Sequence, residues 1–180
     1  MTANDAFIVR AREDRDIEAI TKIYSHHVLE GASSWELSPP DTAEMQRRAD
    51  AITAAGYPYL VAARDTQILG YAYASAYRPR PAYRFTVEHS VYIDDAARRL
   101  GVGKALLTRL IDDCTTAGFR QMIAVVGDSR NLQSIEFHEK MGFERVGTVR
   151  DIGFKFDRWM DQVILQRPLG AGGQTPPEGS

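Results

Sequence analysis

The sequence predicts a single mixed α/β domain, and three observations lead to that prediction. Apolar residues recur at helical spacing in some segments, whereas in others they alternate or form short uninterrupted runs, as in strands. The helical and strand-like segments are interleaved along the chain, an order that is typical of α/β folds. The 180 residues are 44% hydrophobic and 26% charged, an ordinary composition for one globular domain with a substantial core.

The first half of the chain is predicted to begin with a strand whose residues alternate between polar and apolar. The helix after it carries Ile17, Ile20 and Tyr24 at helical spacing, and Asp41 or Thr42 is expected to cap the next helix. In chain order, this half is predicted to contain a strand over 7–12, a helix over 14–29, a helix from 41 or 42 to about 55, and two paired strands over 59–63 and 68–77.

The second half is predicted to alternate strands with two more helices. Asn131 matches the start of a helix and Gly142 its end. In chain order, this half is predicted to contain a strand over 86–93, a helix over 102–117, a buried strand over 122–126, the helix from 131, and strands over 143–149 and 154–166. The domain is expected to cover residues 1–168. Residues 169–180 are rich in Gly and Pro, which predicts a disordered tail.

A glycine-rich turn lies between the strand over 86–93 and the helix over 102–117. Residues 98–104 read Arg-Arg-Leu-Gly-Val-Gly-Lys, so two glycines precede a helix N-terminus, where free backbone N–H groups attract anions. The turn is therefore predicted to bind phosphates, although many such turns only join a strand to a helix. Ala105 replaces the Ser or Thr of a Walker loop, and Leu106 replaces the third Gly of a dinucleotide fingerprint. Neither nucleotide hydrolysis nor NAD binding is therefore expected.

The helix predicted from Asn131 is a second candidate binding element. Ser134 and Ile135 lie three and four residues after Asn131, and His138 lies seven residues after it. At helical spacing, Asn131, His138 and either Ser134 or Ile135 share one helix face. An amide, a hydroxyl and an imidazole on one stripe are unusual for a core face. They are suited to line the polar arm of a cofactor.

Several separated motifs resemble those of the GCN5-related N-acetyltransferases (GNAT). Residues 98–103 resemble that family's pyrophosphate loop, and residues 131–143 resemble its second cofactor motif, Asn-x-x-Ala/Ser-x-x-x-Tyr-x-x-x-Gly-Phe. The sequence departs from the second motif at His138, where most members have Tyr. Residues 77–93 and 153–161 are similar to the phosphinothricin and methionine sulfoximine acetyltransferase branch, which also has His at that position. The resemblance covers nearly the whole chain.

The resemblance implies a GNAT fold, with a mixed and mostly antiparallel sheet of six to seven strands flanked by about four helices. It also implies acetyl-CoA as co-substrate, with pantetheine in a gap between the strands over 86–93 and 122–126. A backbone N–H in that gap would hold the thioester oxygen, and a homodimer is usual in the branch. The implied cofactor-binding residues are Val91, Tyr92, Ile93, Arg98, Arg99, Leu100, Gly101, Val102, Gly103, Lys104, Asn131 and Ser134.

Two side chains are candidates for catalytic proton transfer. Glu88 is the candidate base for the acceptor ammonium, because a carboxylate inside a mostly apolar strand is costly without a partner or a task. The alternative is a solvated Glu that faces outward. His138 could relay a proton or protonate the leaving sulfur, or it could simply bond to a backbone carbonyl. No role is assigned to His26, His27 or His89, and His89 is expected to face away from Glu88.

The acceptor site is predicted mainly from the segment before Glu88. Arg78 and Arg80 are two residues apart, so their guanidinium groups could hold a carboxylate and a second acidic group. The alternative is a pair of exposed arginines at a strand end. Tyr83 could add a hydroxyl and Trp35 an apolar wall, although ordinary packing would explain Trp35 equally well. The predicted acceptor-binding residues are Trp35, Arg78, Arg80, Tyr83, Thr86 and Glu88.

Composition narrows the class of protein and its partners. The net charge of −2 and the pI near 6.1 argue against a nucleic-acid-binding surface, and no apolar run reaches the roughly 18 residues of a membrane-spanning helix. Cys114, the single cysteine, is expected on a core face, and a cytoplasmic location suits it. The first residues lack the pattern of a signal peptide. No metal-ligand spacing is present, so no metal is expected.

The sequence therefore predicts an acetyl-CoA-dependent N-acetyltransferase that acts on the α-amine of a small amino-acid-like acceptor. Direct attack in a ternary complex is expected. The resemblance points to phosphinothricin and methionine sulfoximine, two glutamate analogues, as acceptors. The alternatives are a protein or peptide N-acetyltransferase and a CoA-binding module without catalysis. Herbicide resistance, detoxification and amino-acid metabolism remain open as biological roles.

Overall fold

The computed structural model describes residues 6–177. Within that range, seven strands form one sheet in the order β1-β2-β3-β4-β5-β7-β6, and four α-helices flank it. The strands are β1 (Ile8–Ala11), β2 (Tyr59–Arg64), β3 (Gln67–Ala76), β4 (Thr86–Ile93), β5 (Gln121–Gly127), β6 (Glu144–Lys155) and β7 (Arg158–Pro168). The helices are α1 (Ile17–Glu30), α2 (Thr42–Ala54), α3 (Val102–Thr116) and α4 (Leu132–Lys140). The predicted fold class is confirmed.

Polar side chains cap two of the helices where the sequence predicts a helix start. The Asp41 carboxylate accepts a hydrogen bond from the Glu44 N–H at 2.8 Å and begins α2. The Asn131 side chain accepts one from the Ser134 N–H at 3.2 Å and begins α4. Just beyond α4, Gly142 has a φ of +82°, a conformation that ends a helix. None of the described helices is both long and apolar enough to cross a membrane.

The sheet is covered on both faces by helices. On one face, α1 and α2 pack through side chains such as Ile20 and Val28. On the other face, α3 and α4 pack through a cluster that includes Leu106 and Leu110. Cys114 is 0% exposed in this second cluster, as predicted for a core position. A central strand can therefore present alternate side chains to two different helical layers.

Strands β4 and β5 form the one parallel pair of the described sheet, and they pair over only part of their length. The paired residues end at His89 and Ala124, whereas β4 continues to Ile93 and β5 to Gly127. The strands therefore diverge, and a wedge-shaped gap opens between their C-terminal ends. The splay that the family resemblance implies is confirmed.

The last two strands correct the sequence prediction of a break over 150–153. Strands β6 and β7 form one long hairpin that turns at Phe156 and Asp157, both of which have a φ of +54°. Irregular pairing just before Gly153 disturbs the alternation on which the prediction depends. The two turn residues also lack the glycine that usually marks a tight hairpin turn in a sequence.

The described part of the predicted tail is attached to the domain. Leu169 is 1% exposed and belongs to the core beside α3. The Arg120 guanidinium donates hydrogen bonds to the carbonyl oxygens of Gly172 and Thr175, each at 2.9 Å. One apolar side chain and one arginine thus anchor the described part of a segment for which the sequence predicts disorder. Residues 178–180 lie outside the described residues.

Candidate active site

Some backbone N–H and C=O groups of β4 point into the gap between β4 and β5, where they have no strand partner. A hydrogen bond from the Asp94 N–H to the Leu69 carbonyl shows that the even-numbered residues at this end of β4 bond to β3. Because bonding alternates along an antiparallel strand, Val91 and Ile93 direct their N–H and C=O groups into the gap. Tyr92 is bonded to β3 instead, and its ring is buried with the α1 layer.

His27 on α1 bonds to one of these backbone groups, a contact that sequence reasoning did not assign to it. Its Nε2 lies 3.0 Å from the carbonyl oxygen of Ile93. A carbonyl can only accept, so this nitrogen carries the proton and donates it. The Ile93 carbonyl is thus bonded to a helix side chain, whereas Val91 directs both its N–H and its C=O group into the gap beyond the last paired residue of β4. A ligand with amide groups could pair with it as an extra strand would.

The glycine-rich turn before α3 exposes backbone N–H groups. Arg99 has a φ of +65° and Gly101 a φ of +82°, and Gly101 caps α3. The bond from the Ala105 N–H to the Gly101 carbonyl begins the ladder of the helix. The N–H groups of residues 102–104 therefore lack helical partners and carry partial positive charge. This is the geometry expected of an anion-binding turn.

The side chains of this turn differ in what they can offer to a ligand. Val102 is buried in the core. Arg98 pairs with Asp95 at 2.6 Å, and Asp95 also lies 2.7 Å from His26. The exposed side chains of the predicted set are those of Arg98, Arg99, Leu100 and Lys104.

Helix α4 brings its polar stripe to the other wall of the gap. Asn131, Ser134 and His138 line it together with Val91. The Nδ1 of His138 lies 2.7 Å from the carbonyl oxygen of Ser134, so Nδ1 carries a proton and Nε2 holds a lone pair in the neutral ring. Burial lowers the pKa of His138, which keeps the ring neutral at about pH 7.

The titration of His138 tests this geometry. Because burial disfavours the imidazolium form, we expect its pKa to lie below the ordinary histidine value, with Nε2 unprotonated at neutral pH. Proton–nitrogen correlation NMR of the imidazole rings, assigned with a His138→Gln variant, reports both the pKa and the tautomer. A pKa at or above the free-histidine value, or a proton on Nε2 of the neutral ring, would contradict the assignment.

His89 is a site residue that sequence reasoning missed. It is 5% exposed, and its ring centroid lies 5.1 Å from that of His138. Neither ring nitrogen has a hydrogen-bond partner among the described residues, and burial lowers its pKa far below the ordinary value. The neutral ring brings one donor and one acceptor to the gap. The alternation of side chains along β4 predicts the face of the sheet on which His89 lies, but only the packing of α4 shows that its ring contacts His138.

Within residues 6–177, no group of three acidic, His or Cys side chains could hold a metal.

A second cavity, of about 340 Å³, lies on the α1 side of β4. The half-buried Glu88 lines it, and burial raises the pKa of this carboxyl, whereas the nearby charge of Arg78 opposes the rise. The cavity shares Ser90 and Val125 with the gap. Glu88 and His138 therefore face one continuous space from opposite sides of the sheet. A carboxyl with a raised pKa in such a cavity suits a general base.

The predicted acceptor-binding residues are only partly brought together around this cavity. Trp35 lines it, and its indole packs so closely on Gly127 and Gly153 that a Cβ at either glycine would overlap the ring. Arg78 is exposed but lies near enough to act on Glu88 through its charge. Four of the predicted side chains do not line the cavity in the described chain: Arg78, Arg80, Tyr83 and Thr86.

A known domain family matches most of the chain. The model of the GNAT acetyltransferase domain covers residues 9–164. The chain belongs to the GNAT acetyltransferase family. Among its GNAT relatives, a phosphinothricin N-acetyltransferase of Alcaligenes faecalis is 52% identical over 176 residues, which cover 98% of this chain and 89% of the relative.

Two further GNAT proteins are similar over nearly the full length. An L-methionine sulfoximine/L-methionine sulfone acetyltransferase of Salmonella typhimurium is 37% identical over 161 residues, which cover 89% of this chain and 94% of the relative. A crystal structure of a GNAT superfamily phosphinothricin acetyltransferase from Sinorhizobium meliloti, in complex with AcCoA, matches with a TM-score of 0.92 and 47% identity. That match covers 96% of this chain and 94% of the other.

Proposed function

We propose that this GNAT protein transfers the acetyl group of acetyl-CoA to the α-amine of a glutamate-like amino acid such as phosphinothricin or methionine sulfoximine. The two relatives described above that are named for these acceptors match 98% and 89% of the chain. The observation that carries the proposal is Glu88, whose pKa burial raises, in a cavity that opens into the β4–β5 gap. A base and a groove for an extended cofactor thus meet at one point of the sheet.

The residues of the gap and of the turn before α3 fit acetyl-CoA, which supplies an activated acetyl thioester when bound. The free N–H groups at the start of α3 are proposed to bind its diphosphate. The space beside Gly101 is open, because a Cβ built there has no atom within 4 Å. Val91 is proposed to pair with the pantetheine amides, and Asn131 and Ser134 to flank the arm. A backbone N–H of β4 would then hold the thioester oxygen.

Glu88 and His138 are proposed to divide the proton transfers. The Glu88 carboxylate accepts the proton of the acceptor ammonium, which leaves a neutral amine to attack. As the C–N bond forms, the nitrogen releases a second proton, which the free Nε2 of His138 can accept and return to the departing sulfur. An acetylated cysteine is not part of this path, because burial raises the pKa of Cys114 to about 12.

Arg78 and Arg80 are proposed to recognise the acidic groups of the acceptor. Arg78 is the better supported of the two, because its charge already acts on Glu88. A guanidinium binds a carboxylate or a tetrahedral acid through paired hydrogen bonds. An amino acid held in this way would place its α-amine toward the base.

A thiol-release assay with acetyl-CoA tests the proposed function. The panel contains phosphinothricin, methionine sulfoximine, glutamate and short peptides with free N-termini. We expect release of CoA with the two glutamate analogues and little release with the peptides. Preferred turnover of peptides would instead indicate a protein acetyltransferase, and binding of CoA without turnover of any amine would indicate a non-catalytic module.

We also propose that the protein is a homodimer formed through the β6–β7 hairpin. The hairpin carries a set of large apolar side chains, here called the hairpin patch, that are more than one third exposed: Val149, Ile152, Phe154, Phe156 and Trp159. An exposed apolar patch usually marks an interface. Strand β6 is also an edge of the sheet, and a second copy could cover both the patch and the edge.

A Trp159→Asp variant is expected to dissociate this dimer. Trp159 is 60% exposed, and loss of a central aromatic contact costs about 2 kcal/mol or more, which raises the dissociation constant by roughly 30-fold. Light scattering on a sizing column over a dilution series measures this change. Leu37→Asp, at an exposed apolar residue outside the hairpin patch, is the control and should remain dimeric. A monomeric wild type, or an equally tight Trp159→Asp dimer, would exclude this interface.

A cytoplasmic location and a role in herbicide resistance complete the proposal. The single cysteine can form no internal disulfide, which suits a reducing compartment. Acetylation removes the positive charge of the α-amine, so a glutamate analogue so modified would no longer resemble glutamate. Expression of the chain in a phosphinothricin-sensitive host, with growth scored against an empty vector, tests the second point.

A further inference from the structure

Lys155, the last residue of β6, is a buried cation that the proposed chemistry does not use. It is 6% exposed, and its Nζ donates hydrogen bonds to the carbonyl oxygens of Val28 at 2.7 Å, Gly31 at 3.1 Å and Ser34 at 2.7 Å. An ammonium has three N–H donors, so all of them are used. The three acceptors lie in the last turn of α1 and in the loop after it. The side chain therefore ties that loop to the hairpin.

This arrangement carries a desolvation penalty that an apolar side chain would avoid. A buried ammonium loses its hydration, and the pKa of Lys155 is lowered accordingly. Carbonyl dipoles at the C-terminal end of α1 stabilise the charge, and the Phe156 ring lies 4.8 Å from Nζ. A long apolar residue would fill the same space but could not gather three carbonyl groups. Lys155 therefore differs from a long apolar residue in that its ammonium fixes the positions of three carbonyl groups of α1 and the loop.

The segment held by Lys155, residues 31–36, is here called the acceptor loop because it forms one wall of the cavity that contains the proposed base. Ser34, Trp35 and Glu36 line that cavity. The Tyr24 hydroxyl lies 2.9 Å from both Ser34 Oγ and Glu36 Oε1. The loop contains neither helix nor strand. Its shape therefore depends on ties of this kind.

Strand β6 supplies a second anchor for the acceptor loop two residues before Lys155. A Cβ on Gly153 would lie 2.4 Å from Cζ3 of the Trp35 indole, and one on Gly127 would lie 2.3 Å from its Nε1. The two glycines thus provide the slot in which the indole sits. The hairpin holds the loop backbone through Lys155 and the loop's largest side chain through Gly153.

We propose that Lys155 is a positioning residue for acceptor binding, which fixes the acceptor loop in the conformation that completes the cavity wall. The effect of Lys155 on the kinetics of the acceptor rests on the proposed acetyl transfer, whereas its effect on the conformation of the loop does not. A released loop samples conformations in which the wall is incomplete, and the apparent acceptor affinity falls with the fraction of complete sites. The residues proposed to bind acetyl-CoA lie on β4, in the turn before α3, and at the beginnings of α3 and α4, and none of them is bonded to Lys155.

A Lys155→Met variant tests the kinetic consequence. Methionine keeps the length and the apolar stem of the side chain and removes the three donors. We expect the KM for the acceptor to rise by about tenfold, whereas kcat and the KM for acetyl-CoA stay within about twofold of the wild type. Lys22→Met, at an exposed lysine of α1, is the matched control and should leave all three constants unchanged.

The fluorescence of Trp35 reports on the loop without any substrate. The chain has two tryptophans, so a Trp159→Phe background leaves Trp35 as the single reporter. In that background, Lys155→Met is expected to shift the emission to longer wavelength and to increase quenching by acrylamide. Lys22→Met should change neither property, and circular dichroism confirms that each variant is folded.

The two measurements separate this inference from the proposed function. An unchanged acceptor KM or an unchanged Trp35 quenching in folded Lys155→Met protein overturns the inference, as does an equal rise in the KM values of both substrates. If the wild type acetylates no amino acid, the proposed function fails and the quenching result alone decides the role of Lys155. If Lys155→Met does not fold, Lys155→Gln, which keeps two N–H donors, replaces it. Smaller shifts in the same direction support the inference, and wild-type values overturn it.

Discussion

A Glu88→Gln variant is expected to turn over about 10²- to 10⁴-fold more slowly than the wild type while its affinity for acetyl-CoA stays unchanged. Glutamine has nearly the same shape as glutamate, but its amide cannot take the proton of the acceptor ammonium. The gap and the turn before α3 are untouched by the substitution, so cofactor binding should not respond. Thiol release measures kcat, and calorimetry with CoA measures the affinity.

The raised pKa of Glu88 also sets the direction of the pH dependence. A base acts only when it is deprotonated, so a carboxyl whose pKa is raised by burial moves the acid limb of kcat/KM to higher pH than an ordinary carboxyl would give. Glu88→Gln should lose this limb, and its residual activity should rise with the fraction of neutral amine as the pH approaches the pKa of the acceptor ammonium. A wild-type profile that is flat through the acid range would contradict the role of Glu88 as base.

Stability separates a catalytic Glu88 from a structural one. Its folded-state pKa is raised, so the charged carboxylate destabilises the folded protein as pH rises above the unfolded-state value. Glu88→Gln should therefore melt at the same temperature as the wild type, or at a higher one, near neutral pH. Glu144→Gln, at an exposed strand position of β6, is the control for both activity and melting. Unchanged turnover in Glu88→Gln, or a loss of activity that accompanies a lower melting temperature, would remove Glu88 from its proposed role.

A Gly101→Asp variant is expected to bind acetyl-CoA about 100-fold more weakly, because like charges brought together cost several kcal/mol. Gly101 has a φ of +82°, and a side chain built there meets no atom within 4 Å. Asp tolerates this conformation better than most residues, and a carboxylate at a helix N-terminus does not weaken the helix. The fold should therefore persist while the proposed diphosphate site gains a negative charge. Calorimetry with CoA at low ionic strength measures the loss.

Gly101→Asn is the matched control for this charge effect. Asparagine has the shape of aspartate and the same tolerance of the left-handed region, but it carries no charge. We expect it to weaken CoA binding by no more than about tenfold, a change that corresponds to modest backbone strain. Equal effects of Asp and Asn would attribute the loss to shape. Normal CoA binding by both variants would place the diphosphate elsewhere.

The parts of the site that are local in sequence could be predicted from it. The cap at Asn131, the helix end at Gly142 and the glycine-rich turn at Gly101 each depend on residues within a few positions of one another. A turn or a cap forms from its own side chains and backbone conformation, so its signal is present in a short segment. Strand alternation likewise predicts that Glu88 and His89 face opposite sides of the sheet.

The parts that depend on packing between distant segments could not be predicted. His89 becomes a site residue only because α4 packs over the end of β4 and brings His138 to it. Lys155 gains its three acceptors from the last turn of α1 and the loop after it, more than a hundred positions earlier in the chain. The predicted pairing of Arg78 with Arg80 depends on spacing alone, and neither side chain lines the described cavity. Spacing along a chain does not determine which surfaces meet in three dimensions.

Neighbouring positions of strand β4 face two different layers, with Glu88 toward the α1 layer and His89 toward the α4 layer. Under the proposed function, substitutions on the Glu88 side can therefore change which amine is accepted during evolution without disturbing the proposed cofactor side. A one-residue insertion or deletion within the strand would instead move the side chains of both faces to the opposite face of the sheet at once. We therefore expect natural diversity in this strand to arise by replacement of residues, with its length preserved.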